Sequence, residues 1–212
     1  MATNANAVIT SVSGPNSSAG VAAAIIANPA HVLDDVTTNS GQQGFNEAQN
    51  VVLGSAISVD GGSIAAGTTV NSHMIFLNSS GNALISHFSV DWTFSGTILG
   101  VMSDKGGTLE AATSSVLGAL GTNYTVPFPG SGAAAPFNAR GLEQNDGQGD
   151  GSNDGYSING NVLTLGMKVT EPGDWIRVVT ATTVPIPAAL PLLGGALAIG
   201  GFLGWRRKRS EA

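Results

Sequence analysis

The stretch "LISHFSVDWTF", residues 84–94, decides the fold. Leu84, Phe88, Val90, Trp92 and Phe94 fall on one side of an extended chain, and His87, Ser89, Asp91 and Thr93 on the other. A period of two between apolar and polar side chains is the pattern of a strand with one buried face. The reading is therefore a core strand of a sheet whose second face is wet. Upstream, Val70, Met74 and Phe76 share a face of a second run, and "NSSGNA" at 78–83 separates the two, so 68–77 and 84–94 are predicted to pair as a hairpin. Residues 51–59 alternate as well, with Val51, Leu53, Ile57 and Val59 set against Val52, Gly54, Ala56 and Ser58.

Downstream, Asn159-Gly160 divides Tyr156-Ser157-Ile158 from a run containing Leu163, Leu165, Met167 and Val169. That dipeptide predicts a tight hairpin, because both positions of a type I′ turn need positive φ. "EPGD" at 171–174 then turns the chain into "WIRVVT". Leu109, Ala112, Val116 and Leu120 recur at helical spacing behind Thr108, which predicts one helix near 108–119 with Thr108 as its cap. Many short strands, one helix and 30 glycines point to an all-β sandwich, jelly-roll-like, with a short helical insertion, over residues 8–183.

Charge narrows the partners. Residues 1–183 hold 13 acidic side chains against Lys105, Arg140, Lys168 and Arg177, a balance of −9. Such a surface repels phosphate backbones, so nucleic acid is excluded as a partner class. The chain has no cysteine, which rules out disulfides, thiolate metal sites and a cysteine nucleophile.

The C-terminal residues 184–212 differ in kind. Ile186 to Trp205 is a run of 20 residues without a charge, enough at 1.5 Å per residue to cross a hydrocarbon core of roughly 30 Å as a single transmembrane helix. Arg206, Arg207, Lys208 and Arg209 follow at once, and basic residues favour the cytoplasmic side, which places the preceding domain outside. Pro185 and Pro187 hold the backbone extended just before the apolar run. The order Val184-Pro185-Ile186-Pro187-Ala188, an apolar stretch and an arginine-rich end resembles the VPLPA-type variant of PEP-CTERM sorting signals, with Ile186 in place of the usual leucine. The resemblance implies recognition by exosortase, an integral-membrane processing enzyme of Gram-negative bacteria that make extracellular polysaccharide. It also implies transient anchoring in the inner membrane, loss of the tail near the proline motif, and a mature protein at the cell surface or in the extracellular matrix. "VDWTFSGTILGVMSD" and "EPGDWIRVVTA" are similar to passengers of that class, without bringing a reaction. At the other end, Ala5-Asn6-Ala7 has the small-x-small form of a signal-peptidase site, so residues 1–7 are read as the remnant of a signal peptide; the alternative is an accident of an Ala/Asn-rich terminus.

The candidates for chemistry are few. His73 and His87 lie on the two predicted hairpin strands with Asp91 nearby, a combination that suits a metal or acid–base site. Residues four apart on a strand are separated by about 13 Å, however, so the preferred reading is polar side chains facing solvent. "EQNDGQGDGSNDGYS" at 143–157 offers Glu143, Asp146, Asp150 and Asp154 as hard oxygen ligands, which makes Asp146, Asp150 and Asp154 weak calcium candidates. Their four-residue spacing matches no EF-hand, and a solvated turn is the plainer reading. No GxSxG elbow accompanies the many serines. The expectation is thus an exported, noncatalytic surface or matrix protein that meets exopolysaccharide, with no catalytic residues and no cofactor beyond calcium. The alternative is a secreted carbohydrate-active or other hydrolytic enzyme.

Overall fold

A computed structural model describes residues 6–33, 37–81, 83–124, 141–142, 154–170 and 173–182, all within the compact unit Asn6–Thr183. In chain order the strands are β1 (Ile9–Ser13), β2 (Ala24–Ile25), β3 (Gln43–Asn46), β4 (Val51–Val52), β5 (Ile57–Val59), β6 (Gly62–Ile64), β7 (Thr69–Leu77), β8 (Ile85–Phe94) and β9 (Ile98–Met102). Helix α1 (Thr108–Leu117) follows, then β10 (Gly155–Asn159), β11 (Val162–Val169) and β12 (Asp174–Ala181). The protein is a mostly β structure with one short helix, built as two packed sheets. One sheet has the order β1-β8-β11-β10, the other β2-β3-β7-β12-β9 with β4 also on β7, and β5-β6 form a small ribbon.

Ile85, Val90, Trp92, Phe94, Leu163, Leu165, Met167 and Val169 from the four-stranded sheet meet Ile75, Leu77, Ile176 and Val178 from the six-stranded sheet in one buried cluster. The six-stranded sheet is covered on its other face too. There Met74, Phe76 and Trp175 pack under Val32, Leu33 and Tyr124, and Val70 and Val179 pack under Leu53, Val59 and Leu117. Every residue from Val70 to Leu77 is consequently buried.

Burial on both faces corrects the predicted hairpin. A strand apolar on both sides belongs in the middle of a covered sheet, and β7 pairs with β3, β4 and β12. β8 lies in the opposite sheet between β1 and β11. The link from Leu77 to Ile85 therefore carries the chain from one sheet to the other; the Ala83 N–H does donate to the Ser80 carbonyl, at 3.3 Å, but the strands on either side are not paired. The second hairpin is present, but Asn159 pairs with Val162, which leaves Gly160 and Asn161 as the two-residue loop. Gly160 has φ 64°, the glycine-first pattern of a type II′ turn, in place of the type I′ turn predicted with Asn159-Gly160 as its central pair.

The alternation of the opening stretch holds from Val90 to Phe94 and then inverts. The β8–β11 register slips between Leu165 and Met167, which face Val90 and His87, and Ser89 adopts φ 57°. This bulge turns His87 and Ile85 inward and leaves Phe88 half-buried on the outer face. Leu84, predicted in the core, is exposed. Two glycines make room for the bulge: a Cβ on Gly14 would lie 2.8 Å from the Ser89 carbonyl oxygen, and one on Gly166 would lie 2.7 Å from the Phe88 ring.

Helix α1 is also rotated relative to expectation. Its buried residues are Glu110, Thr113 and Leu117, whereas Val116 and Leu120 face solvent. Thr108 is the first helical residue and not the cap. Asp104 takes the capping role, accepting from the Thr108 and Leu109 N–H groups at 2.9 Å each. Among the described residues, no helix is long and apolar enough to cross a membrane; the predicted span 186–205 lies outside them.

Candidate functional site

Arg177 lies on the face of β12 that α1 covers, and it explains why a polar helix face is buried. Its Nε donates to Glu47 Oε2 at 2.7 Å and its Nη2 to Glu47 Oε1 at 2.8 Å, with neither side chain exposed. Nη1 donates to the Glu110 carbonyl at 2.8 Å and to Thr113 Oγ1 at 3.0 Å, and Nη2 reaches Ser114 Oγ at 3.2 Å. All five guanidinium N–H groups thus have acceptors. Glu47 accepts two more bonds, from Ser72 Oγ and from the Tyr124 hydroxyl, both at 2.6 Å. Burial pushes the Arg177 pKa down, but the Glu47 carboxylate outweighs it and holds the guanidinium above its ordinary range. Burial, aided by Glu47, likewise raises the Tyr124 phenol. With its hydrogen-bonding capacity consumed, this cluster clamps α1 and the 119–124 segment to the sheet and has nothing left for a substrate. Sequence reasoning missed it; the available signal was a lone arginine inside the apolar run "WIRVVT".

Beside the clamp, the Glu110 carboxyl is buried next to Asp104, and a carboxyl–carboxylate hydrogen bond between the two favours protonated Glu110 and ionised Asp104. Burial, with the Asp104 charge adding to it, pushes this carboxyl up to about 8, so it is predominantly neutral at pH 7. Asp104 moves the opposite way. Its partial burial is outweighed by hydrogen bonds from Thr108 and Leu109, which hold it below the usual carboxylate range. Divergent carboxyl groups are a signature of acid–base pairs, yet Asp104 spends both oxygens on the helix N-terminus and Glu110 is 1% exposed.

The predicted His73, His87 and Asp91 combination is not assembled. Both histidines are buried, which corrects the solvent-facing reading: β7 is covered on both faces, and the Ser89 bulge turns His87 inward. His73 Nδ1 donates to Asn46 Oδ1 at 2.8 Å, and its Nε2 accepts from Thr180 Oγ1 at 3.0 Å. Asn46 Oδ1 also accepts from the Ile9 N–H at 2.9 Å, which fixes that amide's orientation. Burial pushes His73 down to about 3. His87 Nδ1 accepts from the Gln42 N–H at 3.0 Å, and its Nε2 donates to the Pro15 carbonyl at 2.9 Å. Burial lowers its pKa too, against the opposing pull of the Pro15 carbonyl. Gln42 and Asn46 are four residues apart along extended chain, about 13 Å, so the two rings are anchored far from each other.

Asp91 instead belongs to the outer face of the four-stranded sheet. The register lines up Ser13, Asp91, Thr164 and Ser157 across all four strands, a row spanning about 14 Å. Thr164 Oγ1 donates to Asp91 Oδ1 at 2.6 Å. Ser11, Thr93, Val162 and Asn159 form the next row. On the other flank the Phe88 ring lies over Gly166, which pairs with Gly155, so an aromatic platform adjoins rows of hydroxyl, amide and carboxylate groups. Among the described residues, no layer of strands or helix covers this face.

Of the calcium candidates, Asp154 is buried and accepts a hydrogen bond from the Lys168 backbone N–H. Glu143, Asp146 and Asp150 lie outside the described residues, as do Val184–Ala188 and Arg206–Arg209. Among the described residues, no three metal-ligating side chains come together. The chain matches no family model, no curated protein and no solved structure.

Proposed function

We propose that this chain is an exported, noncatalytic surface or matrix protein, sorted by exosortase through residues 184–212, whose outer sheet face meets exopolysaccharide. The sorting half rests on the order Val184-Pro185-Ile186-Pro187-Ala188, the uncharged run to Trp205 and the basic cluster Arg206–Arg209. In this reading the apolar run spans the inner membrane until processing removes it. The polysaccharide half rests on one observation, the Phe88 platform beside the Ser13–Asp91–Thr164–Ser157 row. Sugar rings present C–H groups on their faces and hydroxyls at their rims. An aromatic ring next to aligned hydrogen-bonding groups complements both. The acidic surface restricts the ligand to neutral or cationic glycans, since an anionic polymer would be repelled.

Affinity electrophoresis through gels containing the host's exopolysaccharide tests this. Wild-type protein is expected to be retarded and Phe88→Ala to migrate freely with an unchanged circular dichroism spectrum. Equal migration of both proteins with and without polysaccharide would remove the glycan half of the proposal.

A further inference from the structure

The edge strand β10 offers an interaction surface of its own. It pairs only with β11, and nothing among the described residues hydrogen-bonds its other backbone edge. Exposed edges recruit other strands unless a bulge, a proline or a charge protects them. The other three edges that flank the two sheets are short, bulged or covered. β1 has a register shift between Ile9 and Ser11, and β2 has two residues. β9 shifts register near its start, and its Val101 carbonyl accepts from the Asp60 N–H at 2.8 Å. β10, with the sequence GYSIN, runs in unbroken register and carries no proline and no charge.

We propose that β10 pairs antiparallel with β10 of a second copy of this chain, joining two four-stranded sheets into one across a two-fold axis at Ser157. The strand is self-complementary about that residue. Gly155 would face Asn159 of the second copy on the outer side. On the inner side Tyr156 would face Ile158, and by symmetry Ile158 would face Tyr156. Ile158 is 45% exposed in the single chain, and pairing it with an aromatic ring is a favourable cross-strand contact. β10 itself bears no charged side chain, so self-pairing sets no like charges opposite each other across the strand. The inference is independent of any glycan ligand and of the sorting tail.

Self-pairing places Ser157 opposite itself, at a Cα separation of about 4.5–5.5 Å, within the range a disulfide bridges. Because the native chain has no cysteine, Ser157→Cys in the full-length protein, held in mild detergent, reports this contact directly. Mild oxidation is expected to convert most of Ser157→Cys to covalent dimer, at least tenfold faster than Leu120→Cys at a fully exposed position beyond α1. Adding Ile158→Lys to Ser157→Cys should return the rate to that of the control, with melting unchanged because position 158 is exposed. Equal rates for the Ser157 and Leu120 variants, or cross-linking insensitive to Ile158→Lys, would overturn the proposal, including the case in which copies associate through the apolar tail.

Discussion

His73 is held as a neutral ring between Asn46 and Thr180, and Glu110 as a neutral carboxyl under α1, so the two tilt stability in opposite directions with pH. His73 has a folded value of about 3 against 6.5 unfolded. Its contribution is present above 6.5 and is lost as pH falls toward 3, because the unfolded chain takes up the proton first. Glu110 is raised to about 8 from 4.5. Its contribution is present below 4.5 and is lost as pH climbs toward 8. Each slope is at most about 1.4 kcal/mol per pH unit, so these two groups together place maximal stability between pH 4.5 and 6.5. Urea unfolding across pH should show the alkaline limb flattened in Glu110→Gln and the acid limb flattened in His73→Gln; unchanged limbs would contradict the assignments. Trp92 and His87 provide a second comparison. Trp92 is fully buried over Gly44, with its indole N–H donating to Gln42 Oε1 at 2.9 Å, and Trp92→Ala should cost about 3–5 kcal/mol. His87→Ala should cost about 1–3 kcal/mol, because the Gln42 N–H loses its acceptor in a buried setting. A loss below about 0.5 kcal/mol would return His87 to the surface position its sequence parity suggests.

Helix α1 is attached through charge as much as through apolar contact. Removing the guanidinium in Arg177→Met leaves the Glu47 carboxylate buried and unpaired, which should cost about 3–5 kcal/mol. Glu47→Gln in the Arg177→Met background should recover part of that loss, and additive losses in equilibrium unfolding would contradict the clamp. The same elements show what the sequence could disclose. Strand existence, the 155–169 hairpin and the inward set Val90, Trp92 and Phe94 were legible, because alternation reports directly on which face is buried. The bulge was not: one residue in positive φ at Ser89 inverts parity for everything before it, and a serine carries no mark of that. The buried face of α1 was illegible for a related reason. Glu110 and Thr113 read as polar until Arg177 and Glu47, distant in sequence, are brought beneath them. Pairing of β7 with β12 in place of β8 was hidden because local alternation says nothing about which sheet a strand joins.

At the scale of the whole molecule, the two-sheet architecture could be anticipated from turn spacing and strand length, and the outer face could be named only once the register was known. The Phe88 platform exists because the bulge expels a ring that alternation would have placed in the core, so the proposed glycan surface and the misread strand share one origin. The proposed sorting requires export followed by removal of residues 184–212, and intact-mass and C-terminal peptide analysis of the mature protein from its host tests that most directly. The predicted result is a chain ending within Val184–Ala188, with the tail retained when exosortase is deleted. Mature surface protein carrying peptides through Arg209 would contradict it.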